Sequence, residues 1–178
     1  MEKQDSVSEA STGPRDDERE FVSEHQGLTA EELDAILTWS VVRVARFMGQ
    51  RMAERLASHG LNPIHFGVLA YLAIAPDMTQ ADLARSVLVR PQSIAPLLDG
   101  LEERGLISRT GSRSRGRRNP VQITPDGRQA LTAVWDVALS TSDLTDVGLT
   151  GTESVELNRL LLKIVHATRN TKVEGFYE

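Results

Sequence analysis

Residues 79–124 read TQADLARSVLVRPQSIAPLLDGLEERGLISRTGSRSRGRRNPVQIT, and this stretch decides the fold. A Thr-x-x-Asp capping box starts a short helix after Thr79. Its narrow apolar stripe consists of Leu83, Val87 and Leu88. A second helix begins near Pro91, and its apolar residues recur at i, i+3, i+4 and i+7: Ile94, Leu97, Leu98 and Leu101. Two short helices joined by a tight turn predict a helix-turn-helix.

A β-hairpin is predicted directly after the second helix. Gly105 ends that helix, and residues 107–110 and 121–124 have the pattern of two paired strands. Between them lie Gly, Ser and Arg residues with no core former. The arginines from the first strand to the tip are Arg109, Arg113, Arg115, Arg117 and Arg118. Such a hairpin is suited to the DNA minor groove or to phosphates, although a solubilising loop is the alternative.

The first turns of the second helix supply groups that could read DNA bases. The residues off its apolar stripe are Arg90, Gln92, Ser93, Ala95 and Pro96. In a helix-turn-helix the N-terminal residues of the second helix meet base edges. Glutamine can pair with adenine, serine with either partner, and alanine can contact a thymine methyl group. For each of these residues taken singly, a solvated polar face is the alternative.

Composition and motif content argue against several classes of function. The 178 residues are 40% hydrophobic and 25% charged, which is ordinary for one soluble globular domain with tails. Cysteine is absent and the four histidines are dispersed, so we expect no disulfide framework, metal site or cofactor. No phosphate-binding loop or nucleophile elbow is present, so we do not expect an enzyme. The absence of a membrane-span pattern or signal-peptide pattern predicts a cytoplasmic protein.

The charge distribution favours a nucleic-acid partner even though the net charge is -5. Residues 1–34 hold 11 acids against 3 bases, whereas residues 35–178 hold 17 bases against 14 acids. A DNA duplex responds to the local field rather than to the charge of a distant tail. Residues 1–28 have almost no large apolar side chains, which predicts a disordered acidic tail. Residues 29–178 are predicted to form a single domain.

Further helices are predicted on both sides of the helix-turn-helix. A Thr29 capping box begins a helix of about eight turns that ends at His59-Gly60. Asn62-Pro63 begins a buried central helix, and later helices follow Thr124 and Thr150. The apolar stripe of the first helix serves either a subunit partner or its own domain, and its pattern leaves both open.

Residues 29–170 resemble the MarR family of bacterial transcriptional regulators. Residues 79–109, TQADLARSVLVRPQSIAPLLDGLEERGLISR, are similar to the family's helix, turn, recognition helix and Leu-Glu-x-x-Gly-Leu-(Ile/Val)-x-Arg exit. Residues 121–131, VQITPDGRQAL, resemble its returning strand and Leu-Thr-x-x-Gly ending. The resemblance implies a mainly α fold with a small antiparallel β-wing. It assigns the winged helix-turn-helix to 62–127 and dimerisation helices to 29–60 and 126–170.

The family resemblance also carries functional expectations. It implies an obligate homodimer on a two-fold site in double-stranded DNA, repression more often than activation, and often release by a small aromatic anion. Residues that could line a ligand site are Trp39, Arg43, His65 and Trp135. Trp39 and Arg43 share a helix face as an aromatic plate beside a cation, although a core or dimer contact is the alternative for this pair.

Two positions depart from the family pattern. Family wings often carry Asp-x-Arg, but the aligned residues here are Arg115 and Arg117, so the orienting carboxylate is missing. Pro96 stands in the second turn of the recognition helix, where it removes a backbone donor and is expected to kink the helix. A winged helix that binds only proteins, without specific DNA binding, is the alternative function.

Overall fold

The computed structural model describes residues 29–109 and 120–170; for residues 168–170 it describes the backbone only. The chain divides into two compact units, Met1–Ala45 and Arg46–Glu178, and each is described by itself. The predicted tail at 1–28 and the predicted hairpin tip at 110–119 lie outside the described residues. The observed architecture, mostly helical with a small antiparallel sheet, confirms the predicted fold class.

The helices and the two hairpin strands expected from the sequence occur in the predicted order, together with elements that were not expected. The described elements are α1 (Ala30–Asp34), α2 (Leu37–Ala57), α3 (Pro63–Ile74), β1 (Met78–Thr79), α4 (Gln80–Ser86), α5 (Pro91–Glu103), β2 (Ile107–Arg109), β3 (Pro120–Ile123), α6 (Pro125–Ser140), a 3-10 helix (Thr145–Val147) and α7 (Gly151–Asn170).

The first predicted helix is in fact two helices, so the expectation of one long helix was wrong. The capping box at Thr29 is present, because Thr29 N donates to Glu32 Oε2 (2.9 Å) and Glu32 N donates to Thr29 Oγ1 (3.1 Å). The helix then breaks, and Ile36 N donates to Leu33 O (3.2 Å) in a tighter turn. Neither glycine nor proline marks the break, so the sequence carried no local stop signal there.

The other helix starts confirm the capping predictions. Asn62 Oδ1 accepts from His65 N (2.8 Å), ahead of Pro63 in the first helical position. Thr79 has its reciprocal box with Asp82. Thr150 N donates to Glu153 Oε2 (2.7 Å) at the start of α7. These starts are local, because each cap satisfies backbone donors within three residues of itself.

The sheet has one strand more than the sequence predicts. Its order is β1-β3-β2, with both neighbours of β3 antiparallel. Ile107 pairs with Ile123 and Arg109 with Val121, which confirms the predicted pairing of these two strands. The two-residue strand β1 pairs Met78 with Val121 and is too short to produce an alternating pattern.

The core of the Arg46–Glu178 unit joins the helix-turn-helix to the sheet. Its fully buried side chains are Leu56, Val68, Leu69, Leu72, Leu83, Ile94, Leu98, Leu101, Ile107, Val121 and Val134. Gly127 lies where α6 meets the chain leading into β2, since a Cβ there would lie 2.0 Å from Leu106 O and 2.8 Å from Ile123 Cγ1. This close approach fixes α6 against the base of the hairpin.

Candidate nucleic-acid interface

The second helix of the predicted helix-turn-helix, α5, is anchored by one apolar face. Ile94, Leu98 and Leu101 on this face are completely buried. Helix α4 packs against α5 and contributes the buried Leu83. Burial of this face therefore leaves the opposite face of α5 pointing outward.

The predicted base-reading residues lie on or beside this outward face. Arg90, Gln92, Ser93 and Pro96 are exposed, and Ala95 is half-buried. Arg90 is the N-terminal cap, and its side chain makes no capping hydrogen bond. Exposed polar side chains therefore lie at the N-terminal, positive end of the helix dipole, which favours contact with a negatively charged partner.

Helix α5 runs without interruption through Pro96. Proline has no backbone N–H, so the carbonyl oxygen of Gln92 lacks the donor that residue i+4 normally supplies. The ring of Pro96 also crowds this carbonyl group.

Arg109 is placed differently from the other predicted wing arginines. Its side chain is only 12% exposed, and Nη2 lies 2.6 Å from Asp99 Oδ1 while Nε lies 3.3 Å from Glu102 Oε2. The backbone N–H of Arg109 also donates to Glu102 Oε1 (3.1 Å). These contacts tie β2 to α5 and give two acids of the helix a cation. Arg113, Arg115, Arg117 and Arg118 lie outside the described residues.

The turn between α4 and α5 contains a conformation that the sequence did not indicate. Leu88, predicted as part of an apolar stripe, is 82% exposed and has a φ of 55°. Val89 N donates to Ala84 O (3.0 Å) and Leu88 N to Arg85 O (3.4 Å), which is the Schellman pattern. Helix α5 ends the same way with Gly105 (φ 71°), so leucine occupies at residue 88 a position that normally favours glycine.

The four candidate ligand residues form separate local environments. In the first unit, Arg43 Nη1 is paired with Asp34 Oδ1 (2.7 Å) and Trp39 is exposed. In the second, the ring of Trp135 lies 5.9 Å from that of Phe66. His65 Nδ1 is buried and has no hydrogen-bond partner among the described residues. Burial, with a smaller contribution from the charge of Arg104, lowers the His65 pKa.

Comparison with known proteins identifies the family. The MarR family profile matches residues 59–118. The "HTH-type transcriptional repressor Rv2887" of Mycobacterium tuberculosis is 30% identical over 131 residues, which cover 74% of this chain and 94% of that protein. The chain belongs to the MarR family. It is therefore a DNA-binding transcriptional regulator of a family that is not enzymatic.

Solved structures of MarR family proteins agree with this assignment. The M. tuberculosis MarR family protein Rv2887 complexed with salicylic acid has a TM-score of 0.60 at 29% identity, covering 72% of this chain and 95% of that one. The same protein complexed with DNA has a TM-score of 0.60 at 26% identity, covering 72% of this chain and 96% of that one.

The described part of this MarR family chain contains no group of three or more His, Cys, Asp or Glu side chains placed to hold a metal ion. None of its described helices is both long enough and apolar enough to cross a membrane.

Proposed function

We propose that this chain represses transcription in the cytoplasm by binding a two-fold operator as a homodimer, and that a small aromatic anion releases it. The observation that carries the DNA-binding part is the outward first turn of α5. Its polar groups are exposed while the opposite face is fully buried. Repression and ligand release draw support from relatives, one named as a repressor and one crystallised with salicylic acid.

For the DNA contacts we assign two groups of residues. Arg90, Gln92, Ser93, Ala95 and Pro96 face the major groove. Arg113, Arg115, Arg117 and Arg118 contact phosphates or the minor groove, with Arg117 as the main wing residue. Arg109 acts as a positioning residue, since its guanidinium is held by carboxylates of α5.

The dimer contacts are assigned to apolar residues exposed on the terminal helices. On α7 these residues are Val155, Leu160, Leu161, Leu162 and Ile164. In the first unit they are Leu33, Ile36, Leu37, Val41 and Val42. Exposed apolar groups in such numbers favour burial against another surface. Leu161→Glu is expected to shift the protein from dimer to monomer in analytical ultracentrifugation.

The ligand residues are proposed as two pairs to be tested separately. Trp39 and Arg43 would offer an aromatic face and a cation, His65 would offer a ring nitrogen, and Trp135 would offer an aromatic ring. If either pair holds an aromatic carboxylate, then alanine substitution of that pair should raise the salicylate concentration needed to release DNA.

The experiment that tests DNA binding is a salt titration with the full chain. A duplex is first selected from a random library by the purified protein, and its affinity is then measured between roughly 50 and 200 mM salt. A regulator that neutralises phosphates loses affinity steeply over this range, and Arg117→Ala lowers the slope by about one ion. A protein-interaction module would select no duplex, and that result would refute the proposal.

A further inference from the structure

Pro96 and Gly100 lie on the face of α5 that points away from the core. Successive residues of an α-helix are rotated by about 100°. Since Ile94, Leu98 and Leu101 form the buried face, Pro96 falls opposite its centre and Gly100 lies one turn further along. The two residues are therefore neighbours on the outer surface.

Neither residue is explained by the packing of the described chain. Proline and glycine are the two least favourable residues in a helix interior. Pro96 is exposed, and a Cβ added at Gly100 would have no atom within 4 Å. Residues that weaken a helix without a packing reason point to a functional demand at that surface.

The uncharged polar side chains of this face lie in the first turn of α5, and its non-polar residues lie in the following turns. Hydrogen-bonding side chains stand in the first turn, at Gln92 and Ser93, followed by Pro96 and Gly100, which carry no polar side-chain group. A glutamine side chain can bond adenine N6 and N7 together, and apolar groups contact the thymine methyl.

The charges around this face determine how many turns of α5 can lie close to DNA. Asp99, beside Pro96 on the outer face, and Glu102, on its flank, are bonded to Arg109 and so repel phosphates less. Glu103, on the outer face in the last turn, is exposed. Its carboxylate limits close contact with DNA to the first three turns.

We infer that Gln92 and Pro96 read A·T base pairs, the first through adenine and the second through a thymine methyl, and that Gly100 lets the helix lie deep in the groove. The inference rests on the proposed DNA-binding function. An α-helix with side chains is about 10–12 Å wide and the major groove about 12 Å. A side chain at residue 100 would therefore hold the helix backbone away from the bases.

The test separates stability from binding, because the two are expected to change in opposite directions. Gly100→Ala and Pro96→Ala should each raise Tm, by about 2 °C or more, since alanine favours the helix. Gly100→Ala should nevertheless weaken binding to the selected duplex by at least about fivefold, comparable to a mismatched base pair. Gly49→Ala is the matched control: a Cβ there also meets nothing within 4 Å, and we expect higher Tm with unchanged DNA affinity.

Uracil in place of thymine tests the methyl contact directly. Uracil lacks only the methyl group, so substitution at the contacted thymine should cost wild-type protein about fourfold in affinity, the effect of one buried carbon. With Pro96→Gly, which leaves no side-chain carbon to contact the methyl group, the difference between thymine and uracil should fall below about twofold.

The possible outcomes distinguish this inference from the proposed function. If wild-type protein selects a duplex, but both variants bind it as tightly as wild type and uracil has no effect, the inference is wrong and DNA binding stands. A lower Tm for Gly100→Ala would contradict the open position of that residue and overturn the close-approach argument. If wild-type protein selects no duplex, the proposed function fails and the inference fails with it.

Discussion

Replacing Gly127 by alanine should strongly destabilise the protein, although the same change is favourable in most helices. The new Cβ would lie 2.0 Å from Leu106 O, whereas non-bonded heavy atoms in favourable contact are about 3.5 Å apart. Relief therefore requires α6 to move by about 1.5 Å relative to the base of the hairpin. Because Leu106 O belongs to the backbone, the contact cannot be relieved by a side-chain rotation.

That movement would break the hydrogen bonds that hold the start of α6. Thr124 N donates to Leu106 O (3.1 Å), and Thr124 Oγ1 donates to Gly105 O (2.6 Å). Each bond contributes about 1 kcal/mol, and overpacking costs about 1–3 kcal/mol. The higher helix propensity of alanine offsets somewhat less than about 1 kcal/mol of this destabilisation. The expected loss of unfolding free energy is about 3 kcal/mol, which lowers Tm by about 6–12 °C.

The assay is thermal unfolding followed by circular dichroism, at one protein concentration because a dimer's Tm depends on concentration. Gly49→Ala, at an open helical position, serves as the control and should raise Tm slightly. A Tm for Gly127→Ala within about 2 °C of wild type would refute the argument that this close contact fixes α6.

Three further predictions concern single side chains. Arg109→Met should cost about 1–2 kcal/mol in urea unfolding and weaken DNA binding most at low salt, because two carboxylates on α5 lose their cation. The control Arg159→Met removes an exposed ion pair and should lower the free energy of unfolding by less than about 0.5 kcal/mol. An equal loss of unfolding free energy in Arg109→Met and Arg159→Met would contradict the role of Arg109. Leu88→Gly should raise the free energy of unfolding by about 0.5–1 kcal/mol, because glycine adopts the left-handed conformation without strain and the exposed leucine side chain contributes little packing. A lower stability of this variant would show that Leu88 is not strained. The pKa of His65 is lowered in the folded protein, so the unfolded chain binds the proton at higher pH and the free energy of unfolding should fall as pH drops below about 6.5. His65→Gln should flatten this part of the plot of stability against pH. An unchanged plot would exclude His65 as the source of the effect.

The helix starts could be predicted because their signals are short-range. Thr79, Thr124 and Thr150 each accept a hydrogen bond from a backbone N–H three residues later, and the sequence contains both partners. The apolar spacing of α5 likewise fixed which face is buried. The break between α1 and α2 and the strand β1 escaped prediction, because one lacks a glycine or proline and the other is two residues long.

The candidate site was predicted only in part. Its base-reading residues followed from their distance to the apolar stripe of α5, and they lie exposed as expected apart from the half-buried Ala95. Arg109 looked like one more basic residue of the hairpin. Its two carboxylate partners lie seven and ten residues away in the sequence, and only the packing of β2 against α5 brings them together.

The sequence by itself determined the helix starts and the buried face of α5, because capping and apolar periodicity act within a few residues; the family followed from the resemblance of residues 79–109 and 121–131. The tertiary structure alone decided which arginine is held by carboxylates, which leucine is left-handed and exposed, and which glycines are open. Gly100 and Gly127 are both helical glycines in the sequence. One faces open space and the other lies against a backbone carbonyl, and that difference depends on elements distant along the chain.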